Sequence, residues 1–222
     1  MQRKEHSMRL IVVSAGILAI LGTVNAQAPT TRDLHLRGDR FKPLTYDTLT
    51  PEQKTLVDNI VAGPRTSLDG PFNVLLRSPE MGDLAQKFGA QMRYRSSLPP
   101  RLNEFVILIT ARHWTAQFEW QAHRKIALAA GLSPAVIDAL AAGKHPASMQ
   151  PDEEVVYNFC TGVLATKQSS DAAFQAAKEK FGERGVVDML GVMGYYQFVS
   201  MLLNVDRYPL ADGAQPELKP LR

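Results

Sequence analysis

Helix-start signals recur along this chain, and they constrain its fold more than any other feature. Three pairs place proline directly after a residue that caps helices: Thr50-Pro51, Ser78-Pro79 and Ser133-Pro134. Proline suits the first helical position because its missing N–H would have no intrahelical partner there. A preceding hydroxyl accepts a hydrogen bond from the first turn, and Gln53 completes a capping box with Thr50. The pattern predicts that a helix begins at each pair.

Stop signals and the absence of strand patterns extend this prediction to the whole chain. Gly131, Gly143 and Gly182 are placed to end helices, which leaves one helix over about 171–181 and a long one over about 183–205. No run alternates with period two, and no Asn-Gly or Asp-Gly hairpin is present. The β-rich run at 105–110 fits a fully buried helix by its spacing. We predict an all-α protein of seven or eight helices.

The first 26 residues have the pattern of a secretory signal peptide. A basic start leads into the apolar run LIVVSAGILAILG, and small residues allow cleavage after Ala26 or after Ala28. Met8 is an alternative start, and an uncleaved N-terminal anchor is the alternative to cleavage. No other apolar segment is judged long enough to span a bilayer. We therefore expect a secreted or periplasmic bacterial protein with no membrane attachment after cleavage.

The domain boundaries follow from the same signals. We predict a signal peptide over 1–26, an extended arm over 27–49, a helical domain over 50–210 and a loose tail over 211–222. Three basic residues and one acidic residue give the signal segment a net charge of +2, which leaves +1 of the total +3 for the remainder. A nearly neutral domain gives no reason to expect a nucleic-acid partner.

The single cysteine, Cys160, excludes several classes of site. One thiol cannot form an internal disulfide, a Cys-x-x-Cys redox motif or a multi-thiolate zinc site. Cys160 lies in an apolar helical stretch, which predicts a buried small side chain.

The best candidate site combines Glu104 with Glu119 and His123. Glu119 and His123 are four residues apart and share one helix face. A carboxylate fixes the tautomer of an imidazole and raises its basicity, which suits a general acid or base. By spacing alone, an ion pair on a solvated helix is the simpler interpretation. The apolar residues around all three favour a buried, functional set.

Other residues are weaker candidates. Trp120, Arg112 and Tyr195 are predicted to bind substrate. Core packing is the simpler explanation of Trp120 and Tyr195. Arg112 could bind a substrate carboxylate through two parallel hydrogen bonds, and the helix dipole explains its position equally well. Two carboxylates and one histidine could also hold a metal ion, but nothing in their spacing favours that use, so we assign no metal ligand.

Two segments resemble the carboxymuconolactone decarboxylase family, which includes the alkylhydroperoxidase D (AhpD) branch. They are LPPRLNEFVILITARHWTAQFEWQAHRKIALAAGLSPAVIDALAAG and YYQFVSMLLNVDRYPL, and the resemblance covers roughly 70–210. It implies an AhpD-like helical bundle that assembles into trimers or larger homo-oligomers. The peroxidase branch carries a glutamate, a Cys-x-x-Cys and a histidine. The glutamate and histidine fall on Glu104 and His123, whereas the cysteine positions hold Ala116 and Glu119.

The resemblance therefore implies the decarboxylase-like side of the family. Without thiols at those positions the dithiol peroxidase mechanism is lost. We expect a cofactor-independent acid/base enzyme, a lyase acting on a small lactone or keto acid, with His123 as proton donor or acceptor supported by Glu119 and Glu104. Two alternatives are an exported non-catalytic oligomer that binds a small molecule or is purely structural, and a peroxiredoxin-like antioxidant that recruits Cys160.

Overall fold

A computed structural model describes residues 33–65 and 67–220. The predicted signal peptide, both cleavage sites, Met8 and the first part of the arm lie outside the described residues. The described chain forms eight α-helices and one short 3₁₀ helix (Tyr46–Thr48), with no strand among those residues. The helices are α1 (Pro51–Val61), α2 (Phe72–Leu75), α3 (Pro79–Tyr94), α4 (Pro100–His113), α5 (Gln117–Ala129), α6 (Pro134–Ala141), α7 (Pro151–Thr166) and α8 (Asp171–Asp206). The predicted all-α class and helix number are confirmed.

Proline sets the start of five of these helices, and the three starts that the sequence predicts, at Pro51, Pro79 and Pro134, are among them. Thr50 and Gln53 form the expected capping box at α1. Ser78 and Ser133 do stand at the N-cap positions of α3 and α6, but their side chains make no capping hydrogen bond. Proline's fixed φ already matches the first helical turn, so these two helices begin there without a hydroxyl cap. A capping box that the sequence analysis missed forms at Gln150 and Glu153.

Gly182 interrupts α8 where the sequence places a helix end. Its φ of 68° and ψ of 173° are not helical, so α8 is two helices meeting at a kink. Only glycine adopts such a conformation without steric cost. By length and composition α8 is nevertheless long and apolar enough to cross a membrane, contrary to the expectation that no such segment exists. Half of its most apolar window is buried within the chain, as in a core helix.

Helix α4 lies at the centre of the main core. Every residue from Leu102 to Arg112 is buried, and α5, α7 and α8 pack around it. This burial explains why the run at 105–110 has strand-like composition in a helix. It also carries Glu104, which shares α4 with the apolar side chains, into the protein interior.

The described parts of both predicted terminal segments, 33–49 and 211–220, are packed onto the helical domain. In the arm, Leu34, Leu36 and Leu49 are buried in a second hydrophobic cluster with α1 and α2. In the tail, the Gln117 side chain donates to the Leu218 carbonyl at 2.7 Å and accepts from the Leu218 amide at 3.0 Å. The prediction of a loose tail is wrong for its described part, because hydrogen bonds to α5 hold it in place.

Candidate acid/base site

A tight turn between α4 and α5 brings the candidate residues together. Thr115 takes a φ of +48°, which reverses the chain over three residues. Asn204 of α8 donates a 2.9 Å hydrogen bond to the Trp114 carbonyl and fixes the turn from outside. The two helices then pack side by side, so that Glu104 on α4 faces His123 on α5.

His123 lies between two carboxylates. Its Nδ1 is 2.6 Å from Glu104 Oε2, and its Nε2 is 3.3 Å from Glu119 Oε2. All three residues are buried, with exposed fractions of 5% for Glu104, 4% for Glu119 and 2% for His123. An ion pair on a solvated helix surface is therefore excluded. The three side chains form one buried chain of contacts, with a hydrogen bond between His123 and Glu104 and an ion-pair contact between His123 and Glu119.

The two carboxylates favour the charged form of His123. Burial by itself would lower the pKa of His123, because it penalises the imidazolium. The hydrogen bond to Glu104, the close contact with Glu119 and the negative charges of both carboxylates outweigh that penalty and raise the pKa of His123. An imidazolium donates through both ring nitrogens, and each nitrogen here has a carboxylate acceptor.

The Glu119 end of this set of three side chains opens into a pocket of about 190 Å³. Glu119 and His123 both line this pocket, which we call the relay pocket. The pocket is also lined by Arg65, Arg93, Tyr195 and Tyr196. Tyr196 places its ring edge against the His123 ring, with 4.9 Å between centroids. Glu104 is on the far side of the imidazole and does not line this pocket. The geometry suits proton exchange between a small molecule and the Glu119 end of the chain.

Two arginines give the relay pocket a positive side. Arg65 is 9% exposed, its Nη2 donates to the Tyr195 hydroxyl at 3.2 Å, and its Nε has no partner. Among the described residues, no acidic side chain lies within 4.0 Å of the guanidinium of Arg65 or Arg93. With a protonated His123, the residues that line the pocket carry three positive charges and two negative ones, the latter on Asp69 and Glu119, which leaves a net charge of +1. Such a pocket suits a small anion.

The structure separates the predicted substrate-binding residues. Tyr195 does line the relay pocket. Trp120 does not, because its ring is fully buried in the core and its Nε1 donates to Glu217 at 3.1 Å. Arg112 is also absent from this pocket and lines a different one near the end of α4. Spacing along a helix could not distinguish these cases, since each depends on which neighbour covers the side chain.

Sequence reasoning missed Arg65 and Arg93. Arg65 belongs to the connection between α1 and α2, and Arg93 lies in the last turn of α3. Neither is near Glu104 or His123 in the sequence, and neither belongs to a recognisable motif. Only the packing of these segments against α8 brings them to the pocket.

The position of Cys160 bears on the proposal that this chain uses a peroxidatic thiol. Cys160 is fully buried in the core, and burial raises the pKa of its thiol well above the usual range. The alternative in which Cys160 acts as a peroxidatic thiol is therefore wrong, because that chemistry needs an accessible thiolate. Within 33–65 and 67–220, no group of three or more His, Cys, Asp or Glu side chains is arranged to hold a metal ion.

Comparisons with known proteins agree with this architecture. Residues 79–159 match the model of the carboxymuconolactone decarboxylase family. A crystal structure of a protein of unknown function from Agrobacterium tumefaciens, a candidate antioxidant defence protein AhpD, aligns with a TM-score of 0.52 at 17% identity. The alignment covers 64% of this chain and 99% of that one. No curated protein matches the chain significantly.

The matched segment runs from α3 to α7 and contains Glu104, Glu119 and His123. At 17% identity, the structural likeness supports the fold rather than an activity. The resemblance predicted from the residues is confirmed for this segment, and the missing cysteines remain a feature of this chain. Residues 79–159 thus match the model of the carboxymuconolactone decarboxylase family, and the chain carries them in an AhpD-like helical fold without a Cys-x-x-Cys motif.

Proposed function

We propose that the chain is a cofactor-independent acid/base enzyme, a decarboxylase-like lyase that acts on a small lactone or keto acid. The observation that supports it most is the buried Glu104–His123–Glu119 chain, which ends at the relay pocket. Burying three ionisable side chains is costly unless they are paired, and here each has a partner. Perturbed, buried titratable groups beside a cleft are typical of catalytic sites.

In this proposal Glu119 is the group that exchanges a proton with the substrate. Both nitrogens of His123 are occupied by carboxylates, so a proton on Nε2 passes to the pocket through Glu119. His123 then returns a proton to Glu119, and Glu104 holds the imidazole in place from the opposite side. This order differs from the sequence-based hypothesis, in which His123 meets the substrate directly and Glu119 only orients it.

The reaction that fits is loss of CO₂ followed by protonation of carbon. The C–C bond to the leaving carboxylate breaks, and its electron pair moves onto the neighbouring carbonyl to form an enolate. A proton from the relay then adds to carbon, and the relay regains a proton from solvent. Positioned proton transfer of this kind contributes about 10²–10⁴-fold to rate.

Arg65 and Arg93 provide positive charge that can stabilise the enolate oxygen. A guanidinium in a water-poor pocket stabilises negative charge on oxygen far more than it would in bulk water. Arg65 and Arg93 have no acidic partner within 4.0 Å among the described residues, so their charge is available to that oxygen. Arg65 is also held by the Tyr195 hydroxyl, which limits its motion.

Turnover of carboxymuconolactone and a panel of related lactones and keto acids would test this proposal. We expect Glu119→Gln and His123→Ala to lower kcat at least about 100-fold, while the matched control Glu154→Gln, at an exposed Glu–His pair, retains activity. A thiol-dependent peroxide assay should show no activity. If no compound turns over while the folded variants bind ligands like the parent, the proposal is wrong and the non-catalytic alternative is favoured.

We also propose export and self-association, for which the residues give the reasons. The N-terminal pattern supports cleavage after Ala26 or Ala28, which N-terminal sequencing of protein from the periplasm would test. Leu84 on α3 and Val187 on α8 are 71% and 65% exposed, and exposed apolar side chains of this size support a homo-oligomer. Light scattering during gel filtration would measure the number of subunits in the oligomer. A monomer would contradict the proposed self-association.

A further inference from the structure

A second pocket, the Arg112 pocket, lies at the opposite end of α4 from Glu104. It has a volume of about 290 Å³ and is formed by the last turns of α4 and α6 and one side of α7. It shares no lining residue with the relay pocket. The residues that line the Arg112 pocket therefore require an explanation separate from the proposed reaction.

Arg112 is a buried cation without a counter-ion. It is 4% exposed, its Nη1 donates to Thr115 Oγ1 at 3.3 Å, and its Nε has no partner. Among the described residues, no carboxylate lies within 4.0 Å of its guanidinium. Burial lowers the pKa of Arg112, and no acid acts in the opposite direction. A buried charge of this kind normally has an anionic partner.

The helix dipole does not account for this arrangement by itself. A cation near a helix C-terminus gains about 0.3–1 kcal/mol at exposed sites. That interaction explains why arginine is tolerated in the last turn of α4. It provides no hydrogen-bond acceptor for the buried Nε, which still has no partner.

The walls of the Arg112 pocket indicate the rest of the ligand. Lys144 adds a second positive charge, and none of the lining residues is acidic. The buried side chains of Ile109, Leu140 and Leu164 form apolar walls, and the Tyr157 ring adds a half-buried aromatic face. A guanidinium binds a carboxylate through two parallel hydrogen bonds, and the apolar walls suit a hydrocarbon body.

We propose that the Arg112 pocket is a binding site for a small amphiphilic carboxylate, with the carboxylate on Arg112 and Lys144 and the hydrocarbon body against α4, α6 and α7. The site is separate from the relay pocket and does not depend on the proposed reaction. Arg112 thus acts as the carboxylate-binding residue that the sequence suggests, but in a different pocket.

Calorimetric titration of the full chain with hexanoate, and with uncharged 1-hexanol for comparison, would test the site. We expect Arg112→Met to weaken hexanoate binding by about tenfold or more, because a charge-assisted hydrogen bond is lost. Hexanol binding should be little changed. Arg184→Met is the control, since Arg184 is exposed and lines neither pocket, and it should leave hexanoate binding intact. Arg65→Met removes a buried arginine from the relay pocket and shows whether hexanoate binds there instead.

Lys144→Gln provides a second variant at an exposed position, so it tests the site even if Arg112→Met fails to fold. We expect it to weaken hexanoate binding severalfold. The proposal is overturned if the parent binds hexanoate no better than hexanol, or if neither variant at this pocket changes hexanoate binding. Loss of binding in Arg65→Met alone would place hexanoate in the relay pocket and would also overturn it.

Discussion

Replacing Glu104 with glutamine tests whether the buried carboxylates control the protonation of His123. Glutamine has nearly the same shape, and its side-chain oxygen can still accept from Nδ1, which lies 2.6 Å from Glu104 Oε2. The change therefore removes a negative charge and leaves a neutral hydrogen bond. Because Glu104 is 5% exposed, solvent does little to screen this loss.

The expected size follows from the hydrogen bond that is weakened. A hydrogen bond to a charged group contributes about 1.5–3 kcal/mol and a neutral one about 0.5–1.5 kcal/mol. The difference of about 1–1.5 kcal/mol applies to the imidazolium form only. Since one pKa unit corresponds to about 1.4 kcal/mol, the pKa of His123 should fall by about one unit in Glu104→Gln.

NMR titration of the imidazole resonances would measure this pKa in the parent and the variant. Glu154→Gln is the matched control, because Glu154 pairs with His145 at 3.2 Å while both side chains are about half exposed. It should leave the His123 titration unchanged and alter the free energy of unfolding by less than about 1 kcal/mol. An unchanged pKa of His123 in a folded Glu104→Gln variant would refute the reasoning, because the carboxylate would then not stabilise the imidazolium.

Three further predictions concern stability and packing. Because the pKa of His123 is raised in the folded state, its charged form stabilises the fold. This stabilisation is complete below the unfolded pKa of about 6.5 and is lost as the pH rises through the folded pKa. The free energy of unfolding in urea should therefore decline across that range, and His123→Ala should not show the decline. Gly89→Ala would place a Cβ in the Tyr195 ring and should cost about 1–3 kcal/mol in thermal unfolding; an unchanged melting temperature would contradict that packing. Gln117→Ala removes the side-chain hydrogen bonds to Leu218, so hydrogen exchange there should accelerate, and an unchanged rate would show that other contacts hold the tail.

Local sequence signals predicted the helices well, because each depends on a few neighbouring residues. Proline fixes φ at a first turn, and a glycine such as Gly182 accepts a conformation that other residues avoid. The spacing of Glu119 and His123 likewise placed them on one helix face. The same local reasoning gave the wrong result for the tail, because its hydrogen bonds are with α5, about a hundred residues earlier in the chain.

The sequence alone determined the all-helical class, the pairing of Glu119 with His123, and the absence of a Cys-x-x-Cys motif, since each is a matter of residue type and short-range spacing. Tertiary structure decided that this pair is buried, that Glu104 lies across from it, and that Arg65 joins the pocket while Trp120 and Arg112 do not. The physical reason is that burial and charge pairing arise between segments distant in the chain. The packing of α4 against α5 and α8 fixes both, and no local pattern encodes that packing.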